Sequence, residues 1–269
     1  MGTSTSSGGG RAGSPFDPEW LKPESDSTTG GGDSPDSPSE ENGGNVIPDG
    51  AIAPERRFGP ARSLLGRYLQ NGSHDNLRGA TKSMVSKGMG GARRAAATMR
   101  GVASGVGSLG EFLTSVRDGN DQRVIDWLTH VRQENLSATD LTLEILKEVI
   151  PGTGSVDDES LRNAGAEAMA QLYELYPDVD IFNLTDAQIA EVMGLTIANE
   201  ICNRIDLQLG QTYEKLKYDP LLIQERRSDI REWVGAEVRV VLEKQTTKNT
   251  EPKSLAQSIL LSALEVFSE

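Results

Sequence analysis

Between Ile189 and Leu209 an apolar side chain recurs at every fourth position: Ile189, Met193, Ile197, Ile201, Ile205 and Leu209. That spacing follows one stripe of an α-helix over its whole length. A stripe so long needs other helices to cover it, and this constrains the fold more than anything else in the chain. Thr185-Asp-Ala-Gln188 reads as a capping box at its start, and Gly210 bounds its end. Around it the same period returns. Val124 to Val131 predicts a short helix carrying Trp127 and Leu128. Ser137-Ala-Thr-Asp140 resembles a capping box before Leu141, Ile145, Leu146, Val149 and Ile150, and Pro151-Gly152 ends that helix. Leu161, Ala168, Leu172, Leu175 and Tyr176 predict another, stopped by Pro177. Ile230, Trp233, Val234, Val238 and Val241 mark one more, and Leu255, Ile259, Leu260, Ala263 and Phe267 the last. Strand-like alternation is nearly absent. The expectation is an all-α fold, a bundle of about five or six helices over residues 120–269.

Upstream the composition changes twice. Residues 1–55 are dominated by Gly, Ser, Pro, Asp and Glu, and Arg11 and Lys22 face ten acids there, a net charge of −8. Such a segment cannot bury enough apolar surface to offset its ordering entropy, so a disordered tail is expected. As a flexible coil it would span roughly 40 Å. Inside it, PFDPEWLKP sets Phe16, Trp20 and Leu21 between Pro15 and Pro23, the pattern of a short motif that docks in a partner's groove, of a latch onto its own domain, or of a chance cluster. Residues 56–119 read as basic helices interrupted by glycine. Between 56 and 100 there are ten Lys or Arg and only Asp75, a net of +9, whereas residues 101–269 carry −14. Each interior glycine costs a helix ~1 kcal/mol relative to alanine. Either close backbone packing compensates, or the Gly88–Leu113 stretch is helical only on a partner; the sequence favours the second.

The inventory of reactive residues contains no catalytic constellation. His74 and His130 lie in different segments, no Cys/His metal spacing exists, and Cys202 belongs beside Ile201 on the long apolar helix. Gly152-Thr-Gly-Ser155 lacks the lysine of a phosphate loop. Asp157, Asp158 and Glu159 suit the first turn of a helix, where acids complement the dipole. Neither a catalytic residue, a metal site nor a cofactor is expected. A single cysteine suits a reducing, cytoplasmic setting, and no apolar run is long enough to span a membrane. The basic residues Arg56, Arg57, Arg62, Arg67, Arg78, Lys82, Lys87, Arg93, Arg94 and Arg100 suit a phosphate backbone, with Phe58 and Tyr68 for stacking. They suit an acidic protein surface equally well.

Gly2 follows Met1, and methionine before so small a residue is normally removed. That would leave a free glycine amine on a flexible tether. Met1-Gly2-x-x-x-Ser6 also fits a myristoylation pattern, but the basic cluster that would assist a single acyl chain begins some fifty residues away.

MGTSTSSGGG, FDPEWL, RFGPARSLLGRYLQNG and GMGGARRAAATMR together resemble the QatB component of the bacterial Qat anti-phage defence systems. The resemblance covers about the first hundred residues. It implies a partnership with an ATPase (QatA-type), a QueC-like protein (QatC-type) and a TatD-like nuclease, with QatB as the member lacking an enzymatic motif. It also implies a role for the tail. A QueC-like ligase activates a carboxylated deazapurine with ATP and delivers it to an amine, and Gly2 is a suitable acceptor. Thr3, Ser4 and Thr5 would then be read by that enzyme. The helical domain and the basic segment would dock on the ATPase. The rival expectation is a nucleic-acid adaptor that presents DNA to the nuclease through residues 56–100.

Overall fold

A computed structural model describes residues 56–134, 136–150, 152, 154–215, 219–246 and 251–269. The expectations for Gly2, Thr3, Ser4, Thr5, Phe16, Trp20 and Leu21 lie outside the described residues. The chain divides into Met1–Arg57 and Phe58–Glu269, and the architecture below is that of the second unit.

The all-α expectation holds. Among the described residues there are helices and turns but no strands. In chain order the α-helices are α1 (Gly59–Asn71), α2 (His74–Ser83), α3 (Ala92–Thr98), α4 (Arg100–Asp118), α5 (Gln122–Glu134), α6 (Ala138–Val149), α7 (Val156–Leu175), α8 (Asp186–Leu209), α9 (Gln211–Lys215), α10 (Pro220–Thr246) and α11 (Pro252–Val266). A π turn at Met84–Gly88 follows α2, and a 3-10 turn at Ile181–Asn183 precedes α8. The six helices read from periodicity over residues 120–269 are α5, α6, α7, α8, α10 and α11, and the short α9 is added to them.

α8 is the axis of the unit. Sixteen of its residues are buried, so it is covered nearly all round rather than along one stripe. α7, α10, α4 and α11 supply the cover. Its start is fixed as the sequence predicts: Thr185 and Gln188 form a reciprocal capping box, with the Gln188 amide donating to Thr185 Oγ1 at 3.3 Å and the Thr185 amide donating to Gln188 Oε1 at 2.9 Å. Ser137 and Ser155 likewise cap α6 and α7, and Asp157, Asp158 and Glu159 occupy the first turn of α7.

The glycines of α4 explain how it enters the core. A Cβ at Gly107 would lie 2.8 Å from the Cα of Lys253 in α11, and one at Gly110 would lie 2.5 Å from Met193 Sδ in α8. The missing side chains let α4 approach both helices at backbone distance, and that contact offsets the propensity penalty. A partner-dependent Gly88–Leu113 stretch is therefore not what the structure shows. α3 packs on α11, and α4 packs between α11 and α8, so the basic segment and the acidic helices share one core. Edge-on aromatic pairs close its flanks, Phe112 with Trp127 at 5.0 Å and Trp233 with Phe267 at 5.2 Å.

Candidate functional site

The basic segment folds into α1, α2, the π turn, α3 and the first turn of α4, and this local structure sorts its cations. Arg62 lies half-buried on α1 and donates from Nε at 3.1 Å and Nη2 at 2.9 Å to the carbonyl oxygen of Gln208. That carbonyl belongs to the last turn of α8, where unpaired C=O groups carry the negative end of the helix dipole. Arg62 is thus an internal cap and not a surface contact. Lys82 donates to the carbonyl oxygen of Glu269. Arg94 is half-buried, with Cδ against the space above Gly90. Arg67, Arg78, Lys87, Arg93 and Arg100 are exposed. In the preceding unit Arg56 is exposed, and burial holds the Arg57 guanidinium below its usual range.

The two aromatics assigned to base stacking are not available for it. Phe58 is 7% exposed and Tyr68 0%. Gly88 makes room for the Phe58 ring: a Cβ there would lie 2.3 Å from its edge. Tyr68 packs under α10 and donates its hydroxyl to the carbonyl of Arg226 at 3.3 Å and to Asp229 at 3.4 Å. Burial first, then the nearby Asp229 carboxylate, pushes its phenol up to about 12. The sequence gives no warning of this, because the covering residues stand some 160 positions downstream.

The reactive residues are placed as their local patterns suggest. His74 is exposed at the first position of α2, with its ring edge-on to Tyr68. His130 is exposed on α5 and lies 3.2 Å from Glu134. Cys202 is buried, and desolvation pushes its thiol up to about 12, far from the thiolate a nucleophile requires. Among the described residues no three His, Cys, Asp or Glu side chains converge to hold a metal ion, and no helix is long and apolar enough to cross a membrane.

One polar cluster has no distinct signature in the sequence. Glu200, 1% exposed, sits mid-way along α8 and accepts a hydrogen bond from Ser160 Oγ of α7 at 2.7 Å and a longer one from Asn203. Arg204 lies one turn on, 3.9 Å from Glu200 and 3.4 Å from Asp157. Asn199 donates to the Ala164 carbonyl at 3.2 Å. Burial raises the Glu200 carboxyl above the ordinary range, while Ser160 and Arg204 oppose the shift. The cluster ties α7 to α8. The Glu200-Arg204 spacing of i, i+4 was the one available signal, and on a sequence alone it also describes an exposed pair. Two grooves flank α8 elsewhere. One of ≈460 Å³ is lined by Ile189, Ala190, Met193, Leu242 and Leu255; the other, of ≈640 Å³, runs between α7 and α10 over Gly194 and Ala198.

The fold and these residues define an all-α unit with an internally tied polar cluster and a run of exposed cations in its first helices. The family model described as the Qat anti-phage system associated protein QatB matches residues 90–267, and the chain belongs to that family. The match runs over α3 to α11 and meets the sequence resemblance only in GMGGARRAAATMR, so the two draw on different parts of the chain. Membership implies a role in an anti-phage defence system with other Qat components as partners. No curated protein and no solved structure matches the chain.

Proposed function

We propose that this chain is a non-catalytic subunit of a Qat defence assembly, with two jobs. Its helical unit docks on the ATPase partner, and Gly2 accepts a 7-deazaguanine-type base from the QueC-like partner. The observation that carries the reading is the pairing of a QatB-family helical unit with a MGTSTSS start. An unbranched glycine amine followed by small hydroxyl residues is unhindered and can lie extended in another protein's active site. The step balances without a group from this chain beyond its amine. The QueC-like partner uses ATP to activate the deazapurine carboxylate as its adenylate. The Gly2 nitrogen attacks that carbonyl, the C–N amide bond forms, the bond to AMP breaks, and the amine gives up a proton. Thr3, Ser4 and Thr5 hydrogen-bond to the modifying enzyme through hydroxyl and backbone.

The test is Gly2→Pro in a chain co-expressed with its partners. The variant should lose the mass addition while still co-purifying with the ATPase. Retention of the adduct on the variant refutes Gly2 as acceptor. Deleting residues 2–10 should abolish defence and leave the complex intact; a deletion that dissolves the complex would make the tail a docking element instead.

A further inference from the structure

We infer that the exposed cations of α1, α2, the π turn and the α3–α4 junction bind the phosphate backbone of double-stranded nucleic acid without reading its bases. This stands apart from the acceptor role of Gly2 and does not depend on it.

The first support is how charge is distributed in an acidic protein. With a formal charge of −13, acids are abundant, and beyond residue 100 cations are repeatedly held in ion pairs. Arg117 meets Asp186, Arg162 meets Glu159, Arg239 meets Glu191 and Lys253 meets Glu111, all at 2.9 Å or closer. Arg67, Arg78, Lys87, Arg93 and Arg100 are exposed, and none forms an ion pair with a described acidic residue. Arg93 is exposed on α3 and Arg100 at the start of α4, on either side of the turn at Met99. A run of cations left unneutralised beside so many carboxylates is a surface kept for an external polyanion.

The second support separates a nucleic acid from an acidic protein. Protein interfaces rely on buried apolar anchors. Among the described residues of this unit the large exposed apolar side chains are Leu143, Val156, Leu175, Tyr176, Leu207, Leu221, Val240 and Val266, and none falls between residues 58 and 100. Exposed cations in a segment whose large apolar side chains are at most half-exposed, Leu64 and Met89 among them, match a partner whose contact surface is phosphate. Four of the five free cations are arginines, whose planar fork suits phosphate oxygens. The third support separates duplex from single strand. Single strands are gripped by stacking bases on several exposed aromatics; Phe58 and Tyr68 are both buried, and of the segment's rings only that of His74 is exposed, edge-on to Tyr68.

The test is fluorescence anisotropy of the full chain with a labelled duplex of mixed sequence, titrated at several salt concentrations. Five phosphate contacts give a slope of log K against log salt of about −4.5, and hence a loss of roughly 500-fold between 50 and 200 mM salt. Arg93→Glu with Arg100→Glu should bring the slope to about −2.7. Lys147→Glu, the same kind of reversal on the exposed α6 surface, should leave binding unchanged. An unchanged thermal midpoint shows that the double variant is folded, and the wild-type slope stands without any variant. Absence of duplex binding at low salt, a flat salt dependence, tighter binding to a single strand of the same length, or equal weakening by Lys147→Glu would each overturn the inference. Loss of a co-purifying protein partner on reversal, with duplex binding intact, would assign the face to that protein instead.

Discussion

Gly107→Ala and Gly235→Ala make the same chemical change in two helix interiors and should not have the same consequence. Each replaces glycine by the best helix former, a gain of ~1 kcal/mol. At Gly235 in α10 a new Cβ meets nothing within 4 Å, so the gain is kept. At Gly107 the new Cβ would lie 2.8 Å from Lys253 Cα and 2.9 Å from its Cγ. The Cα cannot swing away as a side-chain terminus can, so α4 and α11 must separate. Overpacking of that kind costs about 1–3 kcal/mol, which leaves Gly107→Ala between roughly neutral and 2 kcal/mol destabilised. For a chain of this size 1 kcal/mol moves the thermal midpoint by about 2–4 °C. Gly235→Ala should therefore melt about 2–4 °C above the wild type, and Gly107→Ala about 2–12 °C below Gly235→Ala. Calorimetry or circular dichroism reads both. Equal upward shifts would refute the account of α4 as a helix whose glycines exist for close packing.

Three further outcomes follow from the same geometry. Arg62→Ala removes both hydrogen bonds to the Gln208 carbonyl and should destabilise the unit by about 2 kcal/mol in urea titration without changing duplex affinity; a weakened duplex complex at unchanged stability would return Arg62 to the surface. Burial raises the Glu200 carboxyl in the folded state, so its stabilisation is present below the unfolded value and lost as pH rises through the folded one. Relative to Glu200→Gln, the wild type should lose urea resistance as pH rises from 4 toward neutrality, and a relative gain would contradict that sign. Cys202 should resist a thiol reagent in the native protein and react once on unfolding; rapid native labelling would contradict its burial.

Much of the helical unit was legible because its signals are local. The every-fourth-residue stripe from Ile189 to Leu209, the Thr185–Gln188 box and the acids of the α7 first turn all concern residues within a turn or two of one another. What could not be read depends on distant partners. Tyr68 looks like an available aromatic until Arg226 and Asp229 close over it, and Arg62 looks like a free cation until the end of α8 is brought beside α1. The glycines of α4 were ambiguous for the same reason. A propensity penalty is visible in the sequence, whereas the offsetting approach of Lys253 and Met193 is set by the packing of α11 and α8. Glu200 is the converse case. A charged residue on a helix covered all round becomes recognisable as buried only once α7 supplies Ser160.

The central claim is that Gly2 is an acceptor, and the most direct measurement is the mass of the N-terminal peptide from the chain co-expressed with and without its QueC-like partner. The expected result is methionine removal, and an adduct of a 7-deazaguanine-type base on Gly2 that vanishes when the partner is absent. A trimmed but bare Gly2 in the presence of an active partner would contradict it, leaving the chain to work through its helical unit alone.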